Sequence, residues 1–152
     1  MNLYVIRHGQ TEWNVMKKMQ GSADIPLNEK GLEQTLITKE NLTDIKVDMI
    51  FCSPLIRAKQ TAEIINSDRN LEVIFDERLR ERDYGEFEGT SKSSFDYNEF
   101  WAYTKNKSYE KAENVQVFFS RIYNFLDEIK ERYPDKNILV VAHAGVMKAI
   151  EC

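Results

Sequence analysis

Short apolar runs alternate along the chain with longer segments in which apolar residues recur at every third or fourth position. A run of about four to eight apolar, β-branched and aromatic residues is typical of a buried strand, whereas the longer spacing is typical of a helix that buries one face. The apolar runs predict four strands, at residues 3–7, 49–52, 71–75 and 138–142. The periodic segments predict helices at residues 28–41, 53–66, 114–133 and from 146 onward.

Helix boundaries are indicated by residues that favour helix ends. Asn28, which precedes Glu29, is a suitable N-cap for the first predicted helix. Ser53 and Pro54 suit the N-cap and the first helical position of the second one. Residues 83–94 contain two glycines, many charges and no periodicity, which together predict a loop.

The order of these elements, in which strands and helices alternate and one long loop follows the third strand, predicts an α/β fold. We expect a three-layer α/β/α sandwich whose sheet is mostly parallel. A chain of 152 residues is long enough for one such domain and too short for two, so residues 1–152 are predicted to form a single domain. The apolar stripe between residues 114 and 133 is predicted to pack in the core rather than to bind a cofactor.

Composition narrows the classes of partner. The net charge is -4 and no basic face offsets it, which argues against nucleic acid as a general partner. No apolar run reaches the roughly 18 residues that a membrane span needs, and the first residues lack a signal-peptide pattern. Cys52 and Cys152 are the only cysteines, which indicates a reducing compartment. We therefore expect a cytoplasmic protein that binds neither nucleic acid nor membranes.

Both histidines of the chain directly follow a predicted strand, and each has a glycine within two residues. Because the carboxyl ends of parallel strands meet at one edge of a sheet, where ligands of α/β proteins usually bind, we expect His8 and His143 to share a site. The imidazole of His8 can attack an electrophile whose negative charge the neighbouring Arg7 guanidinium neutralises. Phosphorus in a phosphate ester is such an electrophile.

Arg57 is a third candidate for this site, because it lies in the first turn of the helix predicted after the second strand. Backbone N–H groups and the helix dipole favour an anion at such a helix end, and a guanidinium adds bidentate donors for phosphate oxygens. Taken alone, Arg57 would equally suit a solvated helix surface. Together with Arg7 and the two histidines, it favours a phosphate-binding role.

Four segments of the chain together resemble the signatures of the histidine phosphatase superfamily, which has the phosphoglycerate-mutase-like fold. They are Arg7-His8-Gly9-Gln10-Thr11-Glu12-Trp13-Asn14, Ser53-Pro54-Leu55-x-Arg57-Ala58-x-Gln60-Thr61-Ala62, Leu79-x-Glu81-x-x-x-Gly85-x-x-Glu88-Gly89 and His143-Ala144-Gly145. The segments occur in the order found in that family, and the similarity extends over nearly the whole chain. The resemblance implies a phosphatase that hydrolyses small-molecule phosphomonoesters.

The resemblance also implies roles for individual residues. His8 matches the nucleophile of the family, which becomes a phosphohistidine during turnover. Arg7, Arg57 and His143 match the residues that bind the phosphoryl oxygens. Two guanidiniums and an imidazole supply the charge that phosphoryl transfer needs, so neither a metal nor another cofactor is expected. His8 must be neutral to attack, whereas His143 would help most as a charged donor.

Two further residues match positions of the same family. Asn14 matches an additional phosphate contact, and Glu81 matches the general acid that protonates the leaving group and later activates water. Judged from composition alone, the charged run around Glu81 would more often be a solvated loop. Five other charged residues of this loop are therefore rivals of Glu81 for its role: Arg80, Arg82, Asp83, Glu86 and Glu88.

Two other functions remain open at this stage. A cofactor-dependent phosphoglycerate mutase would share the same machinery, and a non-catalytic phosphate-binding module would need it only in part. The stretch 90–113 lacks the arginines of the mutase insertion and leaves nothing evident to hold a second anionic group, which favours the phosphatase. Its aromatic residues would either line a leaving-group pocket or pack a lid onto the core; they are Phe95, Tyr97, Phe100, Trp101, Tyr103 and Tyr109.

The last residue, Cys152, lies nine positions after His143, where a helix has begun. Members of the family generally complete this helix and continue with another strand and a tail. We therefore expect the sequence to lack the C-terminal segment of the family. A homodimer is left open as an alternative to a monomer.

Overall fold

The computed structural model describes residues 1–152 as a mixed α/β fold built on one four-stranded sheet. The strands are β1 (Asn2–Arg7), β2 (Met49–Cys52), β3 (Val73–Phe75) and β4 (Asn137–Ala142). Their order in the sheet is β1-β4-β2-β3, and all three neighbouring pairs are parallel. The predicted α/β class and the parallel sheet are confirmed.

Six α-helices connect and cover the strands. They are α1 (Glu12–Val15), α2 (Glu29–Asn41), α3 (Ile56–Asn66), α4 (Tyr97–Phe100), α5 (Val115–Arg132) and α6 (Ala144–Glu151). Short 3-10 turns occur at 77–79, 85–87 and 92–94. The two four-residue helices, α1 and α4, were not predicted, because a single turn is too short to show periodicity. No helix is both long and apolar enough to cross a membrane.

The sheet separates two apolar cores, which gives the predicted three layers. On one face, side chains of β2 and β4 pack against α5 and α6, around Phe118, Ile122 and Val146. On the other face, alternate side chains of the same strands pack against α3, around Ala58 and Ile65. Both faces of the central strands are therefore buried, as expected for a parallel sheet.

The register of the strands places the two histidines side by side. Arg7 pairs with Ala142 at the ends of β1 and β4, so that His8 and His143 are the next residue on each strand. Cys52 pairs with Val141, which brings the end of β2 to the same edge. The first turn of α3 follows β2 directly, and it carries Arg57 to this edge.

Two predicted boundaries are wrong for local reasons. Helix α3 begins at Ile56 with Leu55 as its N-cap, so Ser53 does not cap it. Strand β3 begins at Val73 rather than at Leu71, because the side-chain amide of Asn66 takes both backbone groups of Leu71 at 2.9 and 3.0 Å. The predicted N-cap Asn28 is confirmed, since its side chain accepts a hydrogen bond from the N–H of Gly31.

Candidate active site

His8 is buried at the end of β1, with only 7% of its surface exposed. Its Nδ1 lies 2.6 Å from the carbonyl oxygen of Gly9. Because a carbonyl only accepts, Nδ1 carries the proton and Nε2 keeps its lone pair. Nε2 accepts a hydrogen bond from Nε of Arg57 at 3.3 Å. Burial, aided by the positive charges of Arg57 and Arg7, lowers the pKa of His8 to about 3, so the ring is neutral at physiological pH.

His143 is fully buried, and its ring centroid lies 5.2 Å from that of His8. Its Nε2 is 2.7 Å from the hydroxyl of Ser53, which itself accepts the N–H of Leu55. The Ser53 hydroxyl can therefore donate its proton to Nε2 in the tautomer that carries the ring proton on Nδ1. Nδ1 is buried and has no partner within the chain.

The expectation that His143 is a charged donor is wrong for this state of the protein. Burial, together with the charges of Arg57 and Arg7 and the proximity of His8, holds the pKa of His143 well below its usual range. A neutral ring still donates one hydrogen bond through Nδ1. The neutral ring therefore retains one N–H group as a hydrogen-bond donor.

Arg57 is 1% exposed and is oriented by two backbone carbonyls. Its Nη1 donates to Ala23 at 2.6 Å and its Nη2 donates to Gly21 at 2.7 Å. Burial lowers the pKa of Arg57 to about 10, so the guanidinium remains charged at neutral pH. Arg7 is exposed at the end of β1 and lines the same cavity, in which it forms no ion pair.

Asn14 is oriented by the first turn of α1. Its side-chain oxygen accepts hydrogen bonds from the backbone N–H and the hydroxyl of Thr11, at 2.9 and 3.1 Å. Thr11 in turn caps the N–H of Asn14, which completes a reciprocal capping arrangement. The amide nitrogen of Asn14 is left as a donor on a residue that lines the cavity.

Glu81 is a buried carboxyl group, 8% exposed, that lines the cavity beside His8. Its two oxygens each accept one backbone hydrogen bond at 2.9 Å, from Arg82 and from Gly145. Burial raises the pKa of Glu81, although these two N–H groups and the charge of Arg57 act in the opposite direction. A raised pKa favours the protonated form, which can donate a proton.

Gly145 has a structural role that the sequence analysis did not assign. A Cβ at this position would lie 2.2 Å from a carboxyl oxygen of Glu81 and 2.7 Å from the ring of Trp101. Only glycine therefore allows the carboxyl group to reach the first N–H groups of α6.

None of the five rivals of Glu81 lines the cavity, and two of them stabilise the surrounding loops. Arg82 is fully buried, stacks 3.5 Å from the ring centroid of Phe100 and donates to the carbonyls of Phe100 and Glu113. Glu88 accepts hydrogen bonds from the backbone N–H and the hydroxyl of Ser22, at 2.7 and 2.8 Å. Neither Arg82 nor Glu88 lines the cavity.

A cavity of about 800 Å³ opens above these residues, and five of the six predicted site residues line it. The sixth, His143, is not among the lining residues and lies behind His8 at the ring distance given above. Of the aromatic residues in the stretch 90–113, only Phe95 and Tyr97 line the cavity. The other four pack elsewhere; for example, Tyr103 packs against Phe119. Two of the aromatic residues therefore line the cavity, and the other four pack against other parts of the protein.

Three lysines also line the cavity: Lys17, Lys18 and Lys92. Lys17 and Lys18 were missed because they lie outside the stretch 90–113, in which a second anion site was sought. Their position three and four residues after Asn14 was the available signal. The sequence analysis therefore did not anticipate that Lys17 and Lys18 line the cavity.

Comparison with known proteins agrees with this geometry. The profile of the histidine phosphatase superfamily (branch 1) matches residues 3–152. The uncharacterized phosphatase PhoE of Bacillus subtilis is 37% identical over 146 residues, which are 96% of this chain and 73% of PhoE. Phosphoserine phosphatase 1 of Hydrogenobacter thermophilus is 30% identical over 158 residues, covering 100% of this chain and 75% of that protein.

A solved structure shows the same fold. The alpha-ribazole phosphatase from Shigella flexneri superposes with a TM-score of 0.85 at 32% sequence identity, covering 97% of this chain and 76% of that one. The match to the family profile over nearly every residue, the identity to its relatives and the shared fold lead to one conclusion. The chain belongs to the histidine phosphatase superfamily.

Proposed function

We propose that this protein hydrolyses small-molecule phosphomonoesters in two steps, through a phosphohistidine on Nε2 of His8. Its family and its phosphatase-named relatives support an enzyme of the phosphomonoesterase type. The observation that carries the residue-level proposal is the state of His8. Its ring is neutral, and its Nε2 lone pair lies beside Arg57 in the cavity.

In the first step, Nε2 of His8 attacks phosphorus and the bond between phosphorus and the ester oxygen breaks. The leaving alkoxide takes the proton of Glu81, which becomes a carboxylate. Charge on the transferring oxygens is stabilised by what we call the phosphoryl site, which comprises Arg7, Asn14, Arg57 and His143. Such stabilisation by fixed donors is the main part of phosphoryl-transfer catalysis.

In the second step, water attacks the phosphohistidine and gives one proton to the carboxylate of Glu81. The bond between phosphorus and Nε2 breaks, inorganic phosphate leaves, and both His8 and Glu81 return to their initial states. Arg7 and Arg57 supply the positive charge, so we propose that no metal ion takes part. Treatment with a chelator is then expected to leave the rate unchanged, and recovery of a lost rate by a divalent ion would contradict this.

The setting of the enzyme is also a proposal. Cys52 and Cys152 are both free thiols, and burial raises the pKa of Cys52 to about 12, which makes it unreactive. The presence of two free thiols and no disulfide supports a location in a reducing compartment such as the cytoplasm. The two cores on either side of one sheet support a single domain over residues 1–152.

The experiment that tests this function measures phosphate release from a panel of phosphomonoesters. The wild-type protein is expected to release phosphate from several of them. A protein that binds the esters without releasing phosphate would be a binding module, and the proposal would be wrong.

A phosphoglycerate mutase is the second candidate, and the three lysines in the cavity favour keeping it. With 3-phosphoglycerate as substrate, a phosphatase yields glycerate and phosphate, whereas a mutase yields 2-phosphoglycerate. We expect hydrolysis to exceed interconversion by orders of magnitude. Efficient interconversion that depends on bisphosphoglycerate would instead assign the mutase.

A further inference from the structure

Two loops from distant parts of the chain bring the three lysines of the cavity together. The loop after α1 and the start of the stretch 90–113 form an antiparallel bridge between Lys18 and Ser91. Hydrogen bonds of 2.8 Å join Met19 to both Thr90 and Gly89. Lys17 adopts a φ of 55°, a left-handed conformation at the turn that leads into this bridge. We call Lys17, Lys18 and Lys92 the lysine rim.

The lysine rim carries positive charge that the phosphoryl site does not account for. The cavity is lined by five cationic residues and two carboxyl groups, in a chain whose net charge is -4. Arg7 and Arg57 serve the phosphoryl site, and Glu81 serves the leaving group. The lysine rim then faces one remaining carboxylate, that of Asp96, which also caps the N–H of Glu99.

The lysines of the rim have no ion-pair partner in the chain. Two of them lie near aromatic rings instead: Lys92 Nζ is 4.0 Å from the ring centroid of Tyr97, and Lys18 Nζ is 5.7 Å from that of Trp13. A ring face attracts an ammonium group without neutralising it. The rim therefore presents oriented and uncompensated charge to whatever occupies the cavity.

We propose that the lysine rim binds a second anionic group, carried by the leaving group of the substrate. The preferred substrates are then phosphomonoesters of small alcohols that bear a carboxylate or a second phosphate. This deepens the proposed function and rests on it, because it assumes that the phosphoryl group occupies the site beside His8. An aromatic leaving group without charge would leave the rim unused.

The test compares two ligands that differ in one group. In 3-phosphoglycerate a carboxylate stands where glycerol 3-phosphate has a hydroxymethyl group. Binding of each is measured by calorimetry to the His8→Ala variant, which prevents turnover. We expect 3-phosphoglycerate to bind about tenfold more tightly, and this preference to weaken as salt screens the charges.

The preference is then measured again after removal of two rim charges. Adding Lys17→Gln and Lys18→Gln to the same background is expected to reduce the preference about tenfold, to near parity. Lys46→Gln is the matched control, since Lys46 has a highly exposed side chain outside the cavity, and it is expected to leave the preference unchanged. Equal binding of the two ligands, or a preference that survives the double substitution, would overturn the proposal.

Two further readouts separate this proposal from the proposed function. In the enzyme that retains His8, the ratio of kcat/KM for the two esters is expected to fall by the same factor in the double variant, mainly through KM. If no ester is hydrolysed, the proposed function fails, and the binding preference still tests the rim. Glycerol 1,3-bisphosphate is a third ligand, in which a second phosphate replaces the carboxylate. Its affinity relative to that of 3-phosphoglycerate shows which of the two anionic groups the lysine rim prefers. Equal affinities of all three ligands would contradict binding of either group by the rim.

Discussion

The phosphoryl site and the lysine rim lie in one cavity but are built in opposite ways. His8 and two members of the phosphoryl site, His143 and Arg57, are buried and held by hydrogen bonds within the chain, whereas Arg7 is exposed. Lys17 and Lys92 are exposed and lie in the segments that connect the main helices and strands. On the proposed assignment, the chemical step would depend mainly on rigid elements, and the choice of leaving group would depend on connecting segments that can change without altering the chemistry.

The largest expected effect lies at His8, next to the phosphoryl site. His8→Ala removes the nucleophile, and we expect kcat to fall by roughly 10⁴- to 10⁶-fold, as for other enzymes that lose a nucleophile. Lys46→Gln is the control for nonspecific effects and is expected to leave kcat unchanged. A loss of less than tenfold in kcat would mean that the phosphoryl group is transferred without His8. The proposed division between a rigid catalytic region and the lysine rim would then be wrong.

Glu81→Gln sharpens the comparison because its effect depends on the leaving group. We expect the rate for an alkyl phosphate to fall by roughly 10²- to 10⁴-fold, since an alkoxide needs a proton to depart. The value of kcat/KM, which reports the phosphorylation step alone, should fall much less for p-nitrophenyl phosphate than for the alkyl phosphate, because p-nitrophenolate departs unprotonated. Glu86→Gln, at an exposed position outside the cavity, is the control. Equal losses of kcat/KM on both substrates would show that Glu81 is not the general acid.

Gly145→Ala tests the packing that positions Glu81. The added methyl group would lie 2.2 Å from a carboxyl oxygen of Glu81, so either the carboxyl group or the start of α6 must move. We expect a loss of stability of about 1–3 kcal/mol and a lower rate with alkyl phosphates. Urea unfolding and steady-state kinetics check the two parts. In the Glu81→Gln background the same substitution should cost little further activity, and an additive loss would argue against this coupling.

The smallest expected effect is a pH dependence of stability. Burial, with the charges of Arg57 and Arg7, lowers the pKa of His8 from 6.5 to about 3 in the folded protein. Between these values the unfolded chain binds a proton that the folded protein does not, so the stabilising contribution of neutral His8 is lost as pH falls. Relative to His8→Ala, the wild type should lose up to about 1.4 kcal/mol per pH unit below pH 6.5. Urea unfolding at pH 7, 6 and 5 measures this, and a pH-independent difference between the two proteins would contradict the buried neutral ring.

The sequence predicted the strand ends that carry the histidines, but not the lysines on the loops. The apolar runs before His8 and His143 predicted the strands, and the parallel arrangement then brought both rings to one edge. The protonation of His143 could not be predicted, because it depends on complete burial beside other cations. Lys17 and Lys18 were missed because a bridge between two loops, which no periodicity reveals, brings them to the cavity.

Local competition between side chains and the backbone accounts for the remaining errors. Serine is a residue type that favours the N-cap position, yet the hydroxyl of Ser53 forms a hydrogen bond with His143 in the folded protein. Leu71 belongs to an apolar run that is typical of a strand, yet its backbone N–H and carbonyl form hydrogen bonds with the side chain of Asn66. In both cases a partner that is distant or unrecognisable in the sequence changed the local structure.

The central claim is that His8 becomes covalently phosphorylated during turnover. Its most direct test is rapid quenching of the wild-type protein with a ³²P-labelled phosphomonoester, followed by mapping of the labelled peptide. We expect a label on the peptide that contains His8, stable to base and labile to acid, and absent from the His8→Ala variant. An acid-stable label, or a label that persists in the His8→Ala variant, would contradict it.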